Sequence, residues 1–343
     1  MEFLLQMVRY RLFDKQKLKR SLPINFSKKH FYIFKREIER EIPEIICTIQ
    51  KKVNISYDEY FWTKFKILNE SFFLKNYRNN LSRLVKLKFL IKSFFLKKRK
   101  IEKGLWLTND WSIGYFHWFC DVLQQYYFFD KKIIEQYPLL LTTKYRNIEF
   151  INNSIELLNI KVIYINEDEV VRINNLITIP YKLIMGNYIP EVINKVSNSL
   201  RIENNITNKP VFVYITRVNA KKRKIINELE IINILSKYDF KIINCEDTAW
   251  NYQRNIFSKA SILISNHGAG LTNMLFMSAN TNIIELRANN SEKQNCYFSL
   301  SSDLKLNYYY LLGKKLQNSL DPHTADIFIE TDKLNKLLKK IIK

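Results

Sequence analysis

Glycine and proline are scarce, with 6 and 7 copies in 343 residues. That scarcity excludes a collagen-like or low-complexity chain. Cysteine is also rare. Cys47, Cys120, Cys245 and Cys296 are widely separated, so none has the short spacing of zinc ligands or a redox dithiol, and four in so long a chain do not make a disulfide scaffold. A reducing compartment is expected. No uninterrupted apolar run reaches the roughly 18 residues that span a bilayer. Met1–Phe13 carries Glu2, Arg9 and Arg11, which interrupt the apolar core a secretory signal needs. The expectation is a cytoplasmic protein whose only membrane role is peripheral, at the inner face of the cell membrane.

Acidic residues are in deficit: 33 Asp plus Glu against 55 Lys plus Arg, a formal net charge of +22. The excess is uneven. Residues 1–100 hold 25 basic and 9 acidic residues, so +16 of the +22 lies there. Within them, Leu84–Lys100 (LVKLKFLIKSFFLKKRK) has seven Lys or Arg and no acid. Such a mixture suits an anionic membrane surface, each surface-proximal cation adding about 1 kcal/mol. It equally suits the basic face of an ordinary core helix. Nucleic acid is the weakest of the three readings, because no recognition motif accompanies the charge.

With 47% hydrophobic residues, the chain can bury two ordinary cores. Residues 1–103 read as a basic, mostly helical N-terminal region. From Gly104 the texture alternates. Leu105–Thr108, Pro138–Thr142 and Val162–Ile165 read as strands, with helical spacing over Tyr115–Phe129 and Ile148–Leu158. A second series reads more clearly. Its strands are Val211–Thr216, Phe240–Asn244, Ile262–Ser265 and Ile283–Leu286. Its helices are Lys224–Tyr238, Trp250–Ser258 and Gly270–Met277. The expected divisions are 104–205, 206–320 and a C-terminal helix in 321–343. Strands alternating with helices predict an α/β fold with parallel sheets, and ligands at the carboxyl ends of the strands.

Three motifs carry chemistry. In Ser265-Asn-His-Gly-Ala-Gly-Leu-Thr-Asn273 a strand runs into a glycine-rich turn and a helix start, which offers free N–H groups to an anion. His267, Gly268, Ala269, Gly270, Thr272 and Asn273 are therefore candidate phosphate-binding residues. Arg217 lies just past another strand's carboxyl end, and Arg223 one loop further. Both suit bidentate phosphate contact. His117 and Asp121, four apart in Gly114-Tyr-Phe-His-Trp-Phe-Cys-Asp121, share a helix face among aromatics. Asp121 is the preferred proton acceptor, with His117 orienting it, and the two roles are exchangeable.

Together these residues resemble glycosyltransferase family 61, including its bacterial capsular-polysaccharide members. The resemblance spans roughly residues 104–290. It rests on His117 with Asp121, Thr216-Arg217, Arg223, Asn227-Glu228, Glu246-Asp247, His267–Asn273 and Glu285-Leu286. It implies a GT-B-like fold of two Rossmann-like domains facing each other across a cleft. It also implies inversion at the anomeric carbon and no metal or other cofactor. Glu246, Asp247 and Glu285 join the donor site through it. The absence of an Asp-x-Asp motif agrees, since Glu167-Asp-Glu169 is the nearest acidic run. The expected partners are a nucleotide-sugar donor, with uridine diphosphate as carrier, and a glycan or lipid-linked glycan acceptor, without nucleic acid. A sugar-phosphate transferase and a non-catalytic glycan- or nucleotide-binding protein are the alternatives.

Overall fold

A computed structural model describes residues 8–63, 66–68, 91, 93–179, 186–203, 210–289, 295–315 and 324–342. The chain divides into two compact units. One comprises Met1–Gln16 and Pro43–Leu183, the other Lys17–Ile42 and Ile184–Lys343. In chain order the strands are β1 (Val8–Phe13), β2 (Gln16–Lys19), β3 (Glu39–Ile42), β4 (Ile45–Ser56), β5 (Phe61–Thr63), β6 (Lys66–Ile67), β7 (Lys97–Trp106), β8 (Leu139–Thr142), β9 (Val162–Ile165), β10 (Glu169–Thr178), β11 (Val211–Ile215), β12 (Lys241–Ile243), β13 (Ala260–Asn266), β14 (Asn282–Ala288), β15 (Asn307–Lys315) and β16 (Ile327–Phe328).

The first unit is built on a mixed sheet in the order β6-β5-β4-β10-β7-β8-β9, with β1 also pairing β4. Its half β10-β7-β8-β9 is parallel. Strand order along the chain reverses between β7 and β10, as at the switch point between the two halves of a dinucleotide-binding sheet. Val53, Ile55, Trp106, Leu140, Ile165, Val171 and Ile173 form its core cluster. The expectation of a mostly helical N-terminal region is corrected here. Among the described residues before 104, β1, β4, β5 and the first part of β7 are strands of this sheet. Burial along β4 does not keep a strict period of two, since Lys51 and Lys52 are both exposed in its middle and Lys52 has φ +55°, and this break hides the strand in sequence. Of Leu105–Thr108, expected as a short strand, Leu105 and Trp106 are the end of the ten-residue β7, and Leu107 and Thr108 lie just past it.

The second unit's main sheet runs β12-β11-β13-β14-β15-β16. All its pairings are parallel except β15 with β16. The first five strands follow the doubly wound order 2-1-3-4-5, which reverses between β11 and β13. Helix Glu228–Ser236 and the C-terminal helix Thr331–Ile341 cover one face, placing Ile231, Leu235, Leu334 and Leu338 against Tyr214, Ile264 and Ile284. The C-terminal helix is thus part of this unit's core. Residues 17–42 also belong to this unit. There the buried Arg20 pairs with Asp303 at 2.6 Å, and Phe34 packs edge-on to Phe298 and Tyr310. Among the described residues, no helix is long and apolar enough to cross a membrane.

Candidate functional site

Two clusters of sequence-predicted residues form, one in each unit. The larger lies at the carboxyl ends of β11, β13 and β14, where the strand order of the second unit reverses. Doubly wound sheets bind ligands at this position. Beyond β11, the Glu228 carboxylate accepts from the Tyr214 hydroxyl at 2.7 Å, the Thr216 hydroxyl at 2.9 Å and the Arg217 N–H at 3.3 Å. All three converge on one oxygen and fix the strand end from which Arg217 departs. The guanidinium folds over the glycine turn. A Cβ built on Gly268 would lie 2.5 Å from Arg217 Nη1 and 3.2 Å from its Cζ. Gly268 is extended, with φ 176°, so the approach of Arg217, and not a backbone conformation, demands glycine there. Gly270 is tight in the same sense, its Cβ position lying 3.1 Å from Ile215 Cγ2.

Arg223 sits in the same loop with φ +59°, a left-handed conformation that costs a non-glycine residue about 1–2 kcal/mol. The amide of Asn266, the last residue of β13, donates to its carbonyl and anchors the loop. Such strain persists only where its surroundings enforce it, often at functional sites. Burial, followed by the nearby Arg223 charge, lowers the pKa of Arg217. Nε of Arg217, Nε of Arg223 and Oγ1 of Thr272 are buried without a hydrogen-bond partner in the structure. Two neighbouring cations with unspent donors have the chemistry to receive a polyanion.

His267 forms the floor. Its Nδ1 is hydrogen-bonded to Glu285 Oε1, and the Tyr308 hydroxyl donates to the other carboxylate oxygen. Burial opposes ionisation of Glu285, but His267 and Arg287 outweigh it and hold the carboxyl below its usual range. Burial keeps His267 itself below its ordinary value, with Glu285 opposing and Arg287 and Arg223 reinforcing that shift. The assignment that satisfies both is an ionised Glu285 accepting Nδ1–H from a neutral imidazole, with Nε2 directed elsewhere. The Tyr297 ring packs edge-on to His267 at 5.1 Å.

The other predicted residues occupy several roles. Ala269 is exposed at the turn. Gly270–Met277, expected as a helix, is a 3₁₀ helix over Ala269–Phe276, eight residues where such runs rarely exceed four. Asn273 is fully buried and donates to Gln253 Oε1 at 3.1 Å, which braces the turn from behind. Asp247 accepts from Asn219 at 3.0 Å and also from Asn244, tying the loop after β12 to the loop after β11. Glu246 is exposed. Glu285 is completely buried, with one oxygen bonded to His267 and the other accepting from Tyr308. Sequence reasoning missed Tyr308, Arg287 and Tyr297; they stand on β15, β14 and helix Cys296–Asp303, and no local motif marks them. Among the described residues, no group of three or more His, Cys, Asp or Glu gathers as a metal site would require.

The second cluster lies in the first unit, on the helix that follows β7. That helix runs through Tyr115–His117, a π-turn at Trp118–Val122 and Leu123–Tyr126. Such turns often occur at functional positions. His117 Nδ1 and Asp121 Oδ2 are 2.7 Å apart. Burial raises the pKa of Asp121, against the opposing pull of His117. Asp121 is the inner member, with a side chain 12% exposed against 20% for His117. Trp118 Nε1 donates to Ser154 Oγ at 2.8 Å, locking the helix to its neighbour.

Residues 115–284 match the family model described as Glycosyltransferase 61. Over 91 residues, 26% of this chain, the sequence is 37% identical to an EGF domain-specific O-linked N-acetylglucosamine transferase of Drosophila melanogaster. The matched stretch covers 17% of that protein's length. The family match takes in both clusters up to Ile284, and both comparisons support a glycosyltransferase.

Proposed function

We propose that this chain is an inverting, metal-independent glycosyltransferase of the GT-B type. The second unit takes a nucleotide-sugar donor, and the first supplies the proton acceptor for a glycan acceptor. The observation that carries this reading is the packing of Arg217 on Gly268, with Arg223 beside it, at the strand-order reversal. The diphosphate of the donor would receive the two guanidinium groups and the N–H groups at the start of the 3₁₀ helix. Each charge-assisted contact contributes about 1.5–3 kcal/mol. In such a step the acceptor oxygen attacks the anomeric carbon opposite the diphosphate. The bond from that carbon to the diphosphate oxygen breaks, and its electron pair leaves with the diphosphate. Positive charge fixed in advance at those oxygens lowers the barrier without reorganisation.

The acceptor hydroxyl must lose its proton as it attacks. Sequence alone favours Asp121 as that base. The geometry supports the exchanged roles: the deeper Asp121 holds Nδ1–H of His117, and Nε2 receives the proton. A uridine diphosphate sugar is the first donor to test, N-acetylglucosamine foremost, following the sugar in the Drosophila relative's name. A lipid-linked glycan of a cell-surface polysaccharide, at the cytoplasmic face of the membrane, is the proposed acceptor.

The test is a panel of nucleotide sugars incubated with glycan acceptors, with and without EDTA. Release of the nucleoside diphosphate and a product of inverted anomeric configuration are expected in both conditions. Activity lost to EDTA and restored by Mn²⁺, or a product retaining phosphate, would refute the proposal.

A further inference from the structure

Arg287 is fully buried, two residues beyond Glu285 on the same face of β14. Its Nη1 donates to Asn295 Oδ1 at 2.9 Å and to the Tyr308 hydroxyl at 3.4 Å. Asn295 Nδ2 in turn donates to the carbonyl of Ile33 at 2.7 Å, on the helix Phe31–Ile38. From the same helix the Phe34 ring lies 5.4 Å from the guanidinium carbon. Asn295 stands at the start of helix Cys296–Asp303, yet its side chain does not cap that helix, the ordinary use of Asn at such a position. Its amide instead joins Ile33 to Arg287.

The direction of every proton along this chain is forced. A guanidinium only donates and a carbonyl only accepts, so Asn295 turns Oδ1 to Arg287 and Nδ2 to Ile33. The Tyr308 hydroxyl accepts from Arg287, and its single proton goes to Glu285 Oε2 at 2.5 Å. An ionised Glu285 is then left to accept from His267 Nδ1. The charges sum to zero: Arg287 is positive, Glu285 negative and the imidazole neutral. We infer that Arg287, tied through Asn295 to Ile33, is a positioning residue that keeps His267 neutral with its proton on Nδ1, so that the segment Lys17–Ile42 bears on the donor site. The inference rests on the reading of the second unit as the donor-binding unit. The other charged or titratable groups around this trio are Arg217 and Arg223 after β11, Tyr308 on β15, and Cys296 and Tyr297 on the helix. Burial pushes the Tyr308 hydroxyl and the Cys296 thiol up. A proton gained near neutrality therefore goes to the Glu285–His267 pair.

The test is NMR of the full chain labelled with nitrogen-15 histidine, His267→Gln assigning the signal. The wild-type ring should carry its proton on Nδ1, with Nε2 bare, at neutral pH. Arg287→Met keeps the bulk and leaves the Glu285 charge unbalanced, so the ring should gain its second proton about one pH unit or more higher. Arg287→Lys, which keeps the cation, should restore the wild-type titration. Asn295→Leu should shift it the same way by less. Calorimetry with uridine diphosphate gives the second readout, and the ratio of variant to wild-type Kd cancels the titration of the nucleotide. At pH 8 Arg287→Met should bind about tenfold more weakly, the low end of what outer partners contribute at metal-binding histidines. That deficit should close toward pH 6, as the imidazole takes up the proton that replaces the lost charge. A deficit independent of pH, or a His267 titration unmoved in Arg287→Met or Asn295→Leu, overturns the inference and leaves the transferase reading intact. A wild-type ring protonated on Nε2 alone overturns it without any variant. A shifted titration in a chain that binds no uridine diphosphate refutes the donor reading and upholds the positioning role.

Discussion

Substituting Gly268 by alanine tests the proposed phosphate site with one carbon atom. The added Cβ would sit 2.5 Å from Arg217 Nη1, 3.2 Å from Cζ and 3.6 Å from Nε, where ordinary carbon contacts begin near 3.4 Å. The guanidinium must therefore retreat by about 1 Å, and a long, flexible side chain can do this without unfolding its neighbours. Because Gly268 is extended, alanine adds no backbone strain, so the melting temperature should hold within a few degrees. If Arg217 contacts the diphosphate, displacing it forfeits a charge-assisted bond of about 1.5–3 kcal/mol. At 1.4 kcal/mol per decade, that is roughly 10–100-fold in Kd. Titration calorimetry with uridine diphosphate reads it directly. In the Arg217→Ala background Gly268→Ala should cost nothing further, since the two changes then share one mechanism. An unchanged Kd in Gly268→Ala, or additive losses in the double variant, would refute the proposed role of Arg217.

Asp121→Asn should lower kcat by about 10²–10⁴-fold with donor Kd intact, and His117→Ala should do the same; normal turnover in either moves the base elsewhere. His267 carries a pH signature: held below its ordinary 6.5 by burial, it refuses in the folded state a proton that the unfolded chain accepts. Its contribution to stability is therefore full above pH 6.5 and falls as the pH drops below it. His267→Gln should flatten that part of the pH–stability curve, and an unchanged slope would contradict a neutral His267. Binding to anionic vesicles should fall with salt and with neutralisation of Lys97, Lys98, Arg99 and Lys100 at the start of β7. Equal affinity for neutral vesicles would point to an ordinary structural face. Lys86, Lys88 and Lys92, part of the same basic stretch, lie outside the described residues.

The second sheet was readable because its strands are short apolar runs closed by marked turns. Val211–Ile215 is followed by Thr-Arg and Ala260–Asn266 by His-Gly, so the sequence pattern put Arg217 and His267 just past strand ends, where the structure has them. The first sheet was only half readable. Its parallel strands β8 and β9 are apolar runs, whereas β4 carries Lys51-Lys52 and Asn54 and β10 carries Arg172 and Asn174-Asn175, so neither shows an unbroken apolar run or a clean alternation. Helix Glu228–Ser236 begins later than its amphipathic pattern suggested, because Ile225 bridges Ile327 and holds Lys224–Asn227 out of helix. That shift leaves Arg223 in a strained loop instead of at a helix start. Support for His267 was illegible for a different reason. Glu285, Tyr297 and Tyr308 meet only when β14, helix Cys296–Asp303 and β15 are assembled, and pairwise proximity of this kind leaves no trace in spacing.

The assignment of Lys17–Ile42 to the second unit has a consequence for biosynthesis. Arg20 leaves the ribosome 283 positions ahead of its partner Asp303. At about 5–20 residues per second, it waits roughly 15–60 s for a counter-charge. Through that interval the helix Phe31–Ile38, with Phe34 destined for complete burial, lacks Phe298 and Tyr310, the rings Phe34 packs against. Non-local closure of this kind slows folding and exposes apolar surface while it lasts. Nascent chains of this protein should therefore recruit chaperones early, through a segment that ends within the first 42 residues, and release them only once helix Cys296–Asp303 has emerged.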